Sequence, residues 1–266
     1  MNSSPIGIFD SGIGGLTVAR AVYECLPDES TVYFGDTARV PYGPKSPETV
    51  RRYSLEILDW LLRQGVKAVV VACNTSTAQA LDALQRESPV PVVGVIEPGA
   101  KAAAAASRAG QIGVIGTAGT IASNAYARAI LRARADARVE QKACPLLVPL
   151  VEEGWFEHPA AELIAGEYLE PLRRAGVDTL VLGCTHYPLL KPLLQRAMGP
   201  EVRLIDSGEE TAAAVRETLE TGSLAAPRGA PATHRFVVSD DEARFRQVGA
   251  RFIGERLGRA EVVPLG

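Results

Sequence analysis

The chain is poor in the residues that most often cross-link a protein or hold a metal. Its 266 residues include three histidines (His158, His186 and His234) and four cysteines (Cys25, Cys73, Cys144 and Cys184). No Cys-x-x-Cys pair occurs, so the short-spaced ligand sets of structural zinc sites are missing and no metal is expected. Four cysteines in a chain of this length make no disulfide framework. They point to free thiols in a reducing compartment and an expected cytoplasmic location. Net charge is small, −3, which argues against nucleic acid or a membrane surface as the main partner. No apolar run approaches the roughly 20 residues that span a bilayer. The stretch Met1-Asn2-Ser3-Ser4-Pro5 lacks the basic and apolar segments of a secretion signal. The few lysines sit in no recognisable Schiff-base context, and no cofactor is expected.

What the chain does have is a repeat. Gly65-Val66-Lys67-Ala68-Val69-Val70-Val71-Ala72-Cys73-Asn74-Thr75 matches Gly176-Val177-Asp178-Thr179-Leu180-Val181-Leu182-Gly183-Cys184-Thr185-His186, 111 residues further on. Ile112-Gly113-Val114-Ile115-Gly116-Thr117 likewise repeats Ile6-Gly7-Ile8-Phe9-Asp10-Ser11 at a distance of 106. Continuous apolar, β-branched runs of this kind read as buried parallel strands. Their spacing gives βαβαβαβα order, then a restart, which implies two pseudo-symmetric, doubly wound α/β domains with mostly parallel sheets and a site in the cleft between them. The expected division is 1–97 plus 207–266 against 98–206, with the C-terminal segment returning to the first domain.

In detail, Ser46 and Pro47 open a helix whose Val50, Tyr53, Ile57, Trp60 and Leu61 should face the sheet. The loop 36–44 and the connection 146–156 read as irregular, and one helix is expected from 117 to about 134. A Gly/Pro/Ala-rich linker spans 221–232, followed by a strand at 233–239 and an amphipathic helix at 241–255. His234 has no chemical partner nearby in sequence.

Ligands of open α/β sheets bind at the carboxyl edge of the strands, where both repeats place a cysteine. Free cysteine is among the most buried residue types, so core packing is the ordinary reading of any one of the four. Cys25 and Cys144 are left as structural. Cys73 and Cys184 differ because polar residues follow each, and a helix N-terminus there would lower the thiol pKa. Asp10 and Ser11 end the first strand beside Gly12, Gly14 and Gly15, whose amides can approach a small anion. Asn74-Thr75 and Thr185-His186 offer amides and hydroxyls suited to a carboxylate, and His186 is placed for proton relay. One thiol from each half fits proton transfer on opposite faces of a carbon. It fits equally a redox pair that closes a disulfide.

Phe9-Asp10-Ser11-Gly12-Ile13-Gly14-Gly15-Leu16-Thr17, Gly35-Asp36-Thr37-Ala38-Arg39-Val40-Pro41-Tyr42-Gly43, Ala72-Cys73-Asn74-Thr75 and Gly183-Cys184-Thr185-His186-Tyr187-Pro188-Leu189 together resemble the glutamate racemases, as do Gly94-Val95-Ile96-Glu97-Pro98 and Gly116-Thr117-Ala118-Gly119-Thr120. The resemblance runs through the whole chain in order. It implies cofactor-independent interconversion of L- and D-glutamate, supplying D-glutamate for peptidoglycan, by a homodimer. It implies that Cys73 and Cys184 are the two proton donors and acceptors, with Asp10 assisting Cys73, and His186 with Glu152 assisting Cys184. Substrate contacts would come from Asp10, Ser11, Tyr42, Gly43, Asn74, Thr75, Thr185 and His186, with Thr117 and Thr120. The chain departs from the family at Ser76-Thr77-Ala78, where Ala-Ser-Ala is usual; Thr77 keeps the hydroxyl. It also lacks the N-terminal extension of members activated by a peptidoglycan precursor, so no such activation is expected. The rivals are a racemase of aspartate or another small acid, and a non-catalytic amino-acid-binding or thiol-switch protein.

Overall fold

The computed structural model describes residues 2–265. The chain opens with β1 (Ile6–Asp10), α1 (Leu16–Cys25), β2 (Thr31–Gly35), α2 (Pro47–Arg63), β3 (Ala68–Val71), α3 (Asn74–Glu87), β4 (Val92–Gly94) and α4 (Ile96–Ala106). It restarts with β5 (Gln111–Gly116), α5 (Ala118–Ala122), α6 (Ala125–Ala133), β6 (Arg138–Ala143), α7 (Leu147–Glu153), α8 (Pro159–Arg174), β7 (Thr179–Gly183), α9 (Lys191–Met198) and β8 (Arg203–Asp206). Then come α10 (Ser207–Thr221), β9 (His234–Val238), α11 (Glu242–Ile253) and β10 (Ala260–Val262). No helix among the described residues is long and apolar enough to cross a membrane.

The strands form two sheets, ordered β10-β9-β2-β1-β3-β4 and β6-β5-β7-β8. Every pairing is parallel, as the two-sheet α/β reading expects. The central strands β1, β2, β3 and β7 are buried along their whole length. That explains their unbroken apolar runs: both faces are covered, so no alternation with polar residues is tolerated. In each sheet the strand order reverses at one place, between β1 and β3 and between β5 and β7. The crevice beyond such a switch point is where α/β sheets take ligands. Asp10 ends β1 and Cys73 lies just past β3; Thr117 and Cys184 directly follow β5 and β7.

One apolar cluster runs through both halves, from Ile8 and Val70 to Ile115 and Val181, with Ala100 and Ala103 of α4 inside it. On the other face of the larger sheet, Ile57, Trp60 and Leu61 of α2 cover Phe34, Val69 and Val71. Ser46 caps α2 by accepting from the Thr49 amide at 3.3 Å, with Pro47 at the first position. Val50 leaves the expected sheet-facing set to pack with Tyr42 and Cys73, and Tyr53 departs from it too. It packs instead against Tyr42, with ring centroids 5.7 Å apart, beneath the Arg39 guanidinium.

Other departures have local causes. The helix expected from 117 to 134 is two helices, because Asn124 takes a left-handed conformation (φ 55°) between them. Residues 147–153, expected to be irregular, are helical. Pro149 lies in the first turn, where its missing N–H costs nothing, and Gly154 at φ 76° ends the helix. His234, without a partner nearby in sequence, finds one far along the chain: its Nδ1 lies 3.0 Å from Thr31 Oγ1, and its ring stacks on Tyr23 at 3.8 Å, joining β9 to β2.

The returning segment is also fastened by a buried ion pair. Lys67 Nζ lies 2.5 Å from Glu29 Oε2 and donates to the Asn2 carbonyl at 2.6 Å, while Glu29 Oε1 accepts from the Ala226 amide at 2.7 Å. Removing one partner strands a buried charge, so Lys67→Met is expected to cost roughly 3–5 kcal/mol. Urea unfolding measures it; a loss below about 1 kcal/mol would contradict this role for the pair.

Candidate active site

The first half of the site hangs on the turn after β1. Asp10 Oδ2 accepts from the Gly12 amide at 3.0 Å, and the Tyr33 hydroxyl donates to the Gly12 carbonyl at 2.9 Å. Asp10 is buried, and its Oδ1 has no hydrogen-bond partner. Burial therefore raises its pKa, against the opposing pull of the His186 charge and of the Gly15, Gly12 and Ser11 amides.

Cys73 is the N-cap of α3, and its Sγ accepts from the Ser76 amide at 3.4 Å. A helix N-terminus alone would favour thiolate. Here the expectation is reversed: burial, then the neighbouring Asp10 charge, pushes the thiol up to about 11. Loss of water outweighs the dipole of the first turn.

Cys184 has a different setting from the one expected. No α-helix starts at it; Tyr187–Leu190 form a single 3₁₀ turn, and α9 begins at Lys191. Its partner is a side-chain relay. Cys184 Sγ lies 4.0 Å from His186 Nδ1, His186 Nε2 lies 3.1 Å from Glu152 Oε1, and Arg244 Nη2 donates to Glu152 Oε2 at 3.0 Å. Burial works against a charged imidazole, but the hydrogen bonds and charges of Cys184 and Glu152 push His186 up to about 10. Its hydrogen bond to His186 in turn holds the Glu152 carboxyl below its ordinary value, despite burial.

The two halves share one cavity of about 60 Å³. Of the residues expected at the site, Ser11, Tyr42, Gly43, Cys73, Asn74, Thr75, Thr117, Glu152, Cys184, Thr185 and His186 line it. Asp10 and Thr120 stand outside the lining. Thr120 is buried, with its hydroxyl 3.3 Å from that of Thr75 and 3.0 Å from that of Thr117. Cys25 and Cys144 lie away from the cavity. Burial pushes the Cys144 thiol up to about 12.

Hydrogen bonds between the halves fix the walls. Thr75 Oγ1 is 2.9 Å from Thr117 Oγ1, and the Gly119 amide donates to the Gly43 carbonyl at 2.9 Å. The Tyr126 hydroxyl donates to Asn74 Oδ1 at 2.7 Å, leaving the buried Asn74 Nδ2 without an acceptor. A buried donor left unpaired in a cavity wall suits an anionic ligand. Thr17 Oγ1 lies 3.0 Å from both the Gly14 and Thr185 carbonyls. Gly14 must be glycine, because a Cβ there would strike Thr185 and His186. The Tyr42 hydroxyl donates to Asp36, which also receives Arg39 Nε at 2.7 Å and Ser239 Oγ at 2.8 Å.

Sequence reasoning missed Thr17, Tyr126, Asp36 and Arg244 as supports. Thr17 and Asp36 stood inside resembling motifs and could have been flagged; Tyr126 and Arg244 carried no local signal.

Two parallel α/β sheets that each present a buried thiol to one cavity define a site for acid–base work on a small acid. The family model for Asp/Glu/Hydantoin racemase matches residues 16–216, and the chain belongs to that family. It is similar to glutamate racemase of Geobacter metallireducens, 58% identical over 260 residues, 98% of this chain and 96% of the relative. Among solved structures, glutamate racemase isoform RacE1 from Bacillus anthracis superposes with a TM-score of 0.94 at 39% identity, covering 100% of this chain and 98% of that one. Glutamate racemase from Francisella tularensis, in complex with D-glutamate, gives 0.93 at 37%, covering 100% and 99%.

A histidine raised to about 10 from 6.5 stabilises the fold fully below pH 6.5, and that contribution is lost as pH rises through 10. Imidazole titration by NMR should place His186 near 10 and lower in Glu152→Gln, whose stability should also fall less over this range than that of the unmodified protein. An unshifted His186 in Glu152→Gln would contradict the relay.

Proposed function

We propose that the protein interconverts L- and D-glutamate by removing and returning the Cα proton, with Cys73 and Cys184 acting from opposite faces and no cofactor. The observation that carries this reading is the pair of cysteines, one from the carboxyl edge of each sheet, lining a single cavity. The D-glutamate complex of the Francisella tularensis relative supports the choice of substrate.

The substrate carboxylate is held by donors in the wall, among them Asn74 Nδ2 and the hydroxyls of Thr75 and Thr185. Their fixed dipoles stabilise the negative charge that spreads from Cα onto the carboxylate as the proton leaves. In one direction Cys184 acts as thiolate beside the His186 imidazolium and removes the proton. Cys73, a thiol by virtue of its burial, delivers its own proton from the other face. In the reverse direction the roles exchange, and Asp10, with a raised pKa and a free oxygen, takes the Cys73 proton. Dividing the chain into 1–97 plus 207–266 and 98–206 gives two halves whose parting admits substrate and whose closure excludes water. The D-glutamate formed would feed peptidoglycan synthesis, and a cytoplasmic homodimer belongs to the same proposal.

Replacing either thiol removes one of the two acid–base groups, so Cys73→Ser and Cys184→Ser should each slow racemisation by about 10²–10⁴-fold. Full activity in either variant would sink the two-base reading. Aspartate run beside glutamate should turn over more slowly; faster turnover of aspartate would overturn the substrate assignment.

A further inference from the structure

Helix α11 touches the Cys184 relay at three points. Arg244 holds Glu152 Oε2 at 3.0 Å. Arg251 Nη1 donates to the Glu152 carbonyl and reaches the Val151 carbonyl at 3.5 Å. Phe252 sets its ring edge-on to the His186 imidazole, with centroids 5.4 Å apart and planes at 88°. Arg244 and Arg251 are seven residues apart and so share one helix face. The buried Phe245, Val248 and Phe252 anchor the helix.

The helix belongs to the chain between β9 and β10, both strands of the larger sheet. What it grips is α7, between strands β6 and β7 of the smaller sheet. The Glu152 carbonyl that accepts from Arg251 lies in the last turn of α7, where intrahelical donors run out. Gly154 ends that turn, and a Cβ there would come within 3.1 Å of the Arg251 guanidinium. A glutamate has three free side-chain torsions. With one oxygen on His186 and the other on Arg244, this carboxylate keeps a single orientation.

We propose that Arg244 and Arg251 are positioning residues, through which closure of the two halves aims Glu152 at His186 and so arms Cys184. This rests on the racemase reading above. When the halves part, α11 withdraws with the larger sheet, Glu152 is released, and the imidazolium loses its counter-ion. When they close, the relay is rebuilt around the substrate.

The test measures glutamate turnover in both directions, with α-protiated and α-deuterated substrate, for Arg244→Ala, Arg251→Ala and Arg244→Lys. Loss of an outer partner of a catalytic group should slow turnover roughly tenfold. Only the Cys184 step is affected, so the substrate isotope effect should rise in the direction where Cys184 removes the proton and fall in the other. Arg244→Lys should recover part of the loss. Amide exchange near the end of α7 should quicken in Arg251→Ala, whether or not turnover is followed. Unchanged turnover, equal slowing with unchanged isotope effects, or unchanged amide exchange would overturn the coupling while racemisation by the unmodified protein stands. Absence of racemisation in the unmodified protein would overturn the underlying reading, and this inference with it.

Discussion

Removal of water from the cleft is the constraint on which the rest of this site depends. Asp10, Cys73 and His186 are all buried where the two halves meet. A charge in such a place is costly unless it is matched, so each group either stays neutral or acquires a partner. The two halves solve this differently. Around Cys73 burial prevails, and the thiol is held protonated beside a buried carboxyl with a free oxygen. Around Cys184 the charge is matched in a chain of alternating sign, from His186 to Glu152 to Arg244. A duplicated fold thus places two thiols in different electrostatic surroundings, as the proposed donor and acceptor on opposite faces of one carbon would require.

Matching charges in a shared cleft makes the halves interdependent. Thr17 ties α1 to the turn after β7, Tyr126 of α6 orients Asn74 of α3, and Thr117 meets Thr75. Close approach across the cleft also requires glycine at Gly14, where a Cβ would strike the Thr185 and His186 side chains. The linker after α10 returns the chain to the larger sheet and carries α11 with it, which brings Arg244 to Glu152. The site is therefore closed by a segment that follows both repeats in sequence.

Most of the architecture was legible in the chain because its signals are local. Uninterrupted apolar runs marked the buried parallel strands, and the repeat placed Cys73 and Cys184 in equivalent positions. The resembling motifs named the cavity wall from Ser11 to His186. What was not legible depends on residues far apart. The dipole of α3 can be read from the residues after Cys73, but the burial that overrides it is created by the other half of the molecule. Arg244 is 92 residues from the carboxylate it holds, and Tyr126 is 52 from Asn74. The helix at 147–153 was hidden by Pro149, whose place in the first turn shows only once the helix start is known. The last strand, Ala260–Val262, is three residues long and owes its existence to β9 beside it.

The central claim is that two buried thiols act from opposite faces of Cα, and the fate of the α-hydrogen tests it most directly. Unlabelled L-glutamate is converted in deuterated water, and both enantiomers are sampled at low conversion by mass spectrometry. The account predicts that every D-glutamate formed carries one deuterium at Cα, supplied by the second thiol, while the remaining L-glutamate keeps its hydrogen. D-glutamate that retains the original α-hydrogen would mean that one base removes and returns it, and would contradict the account.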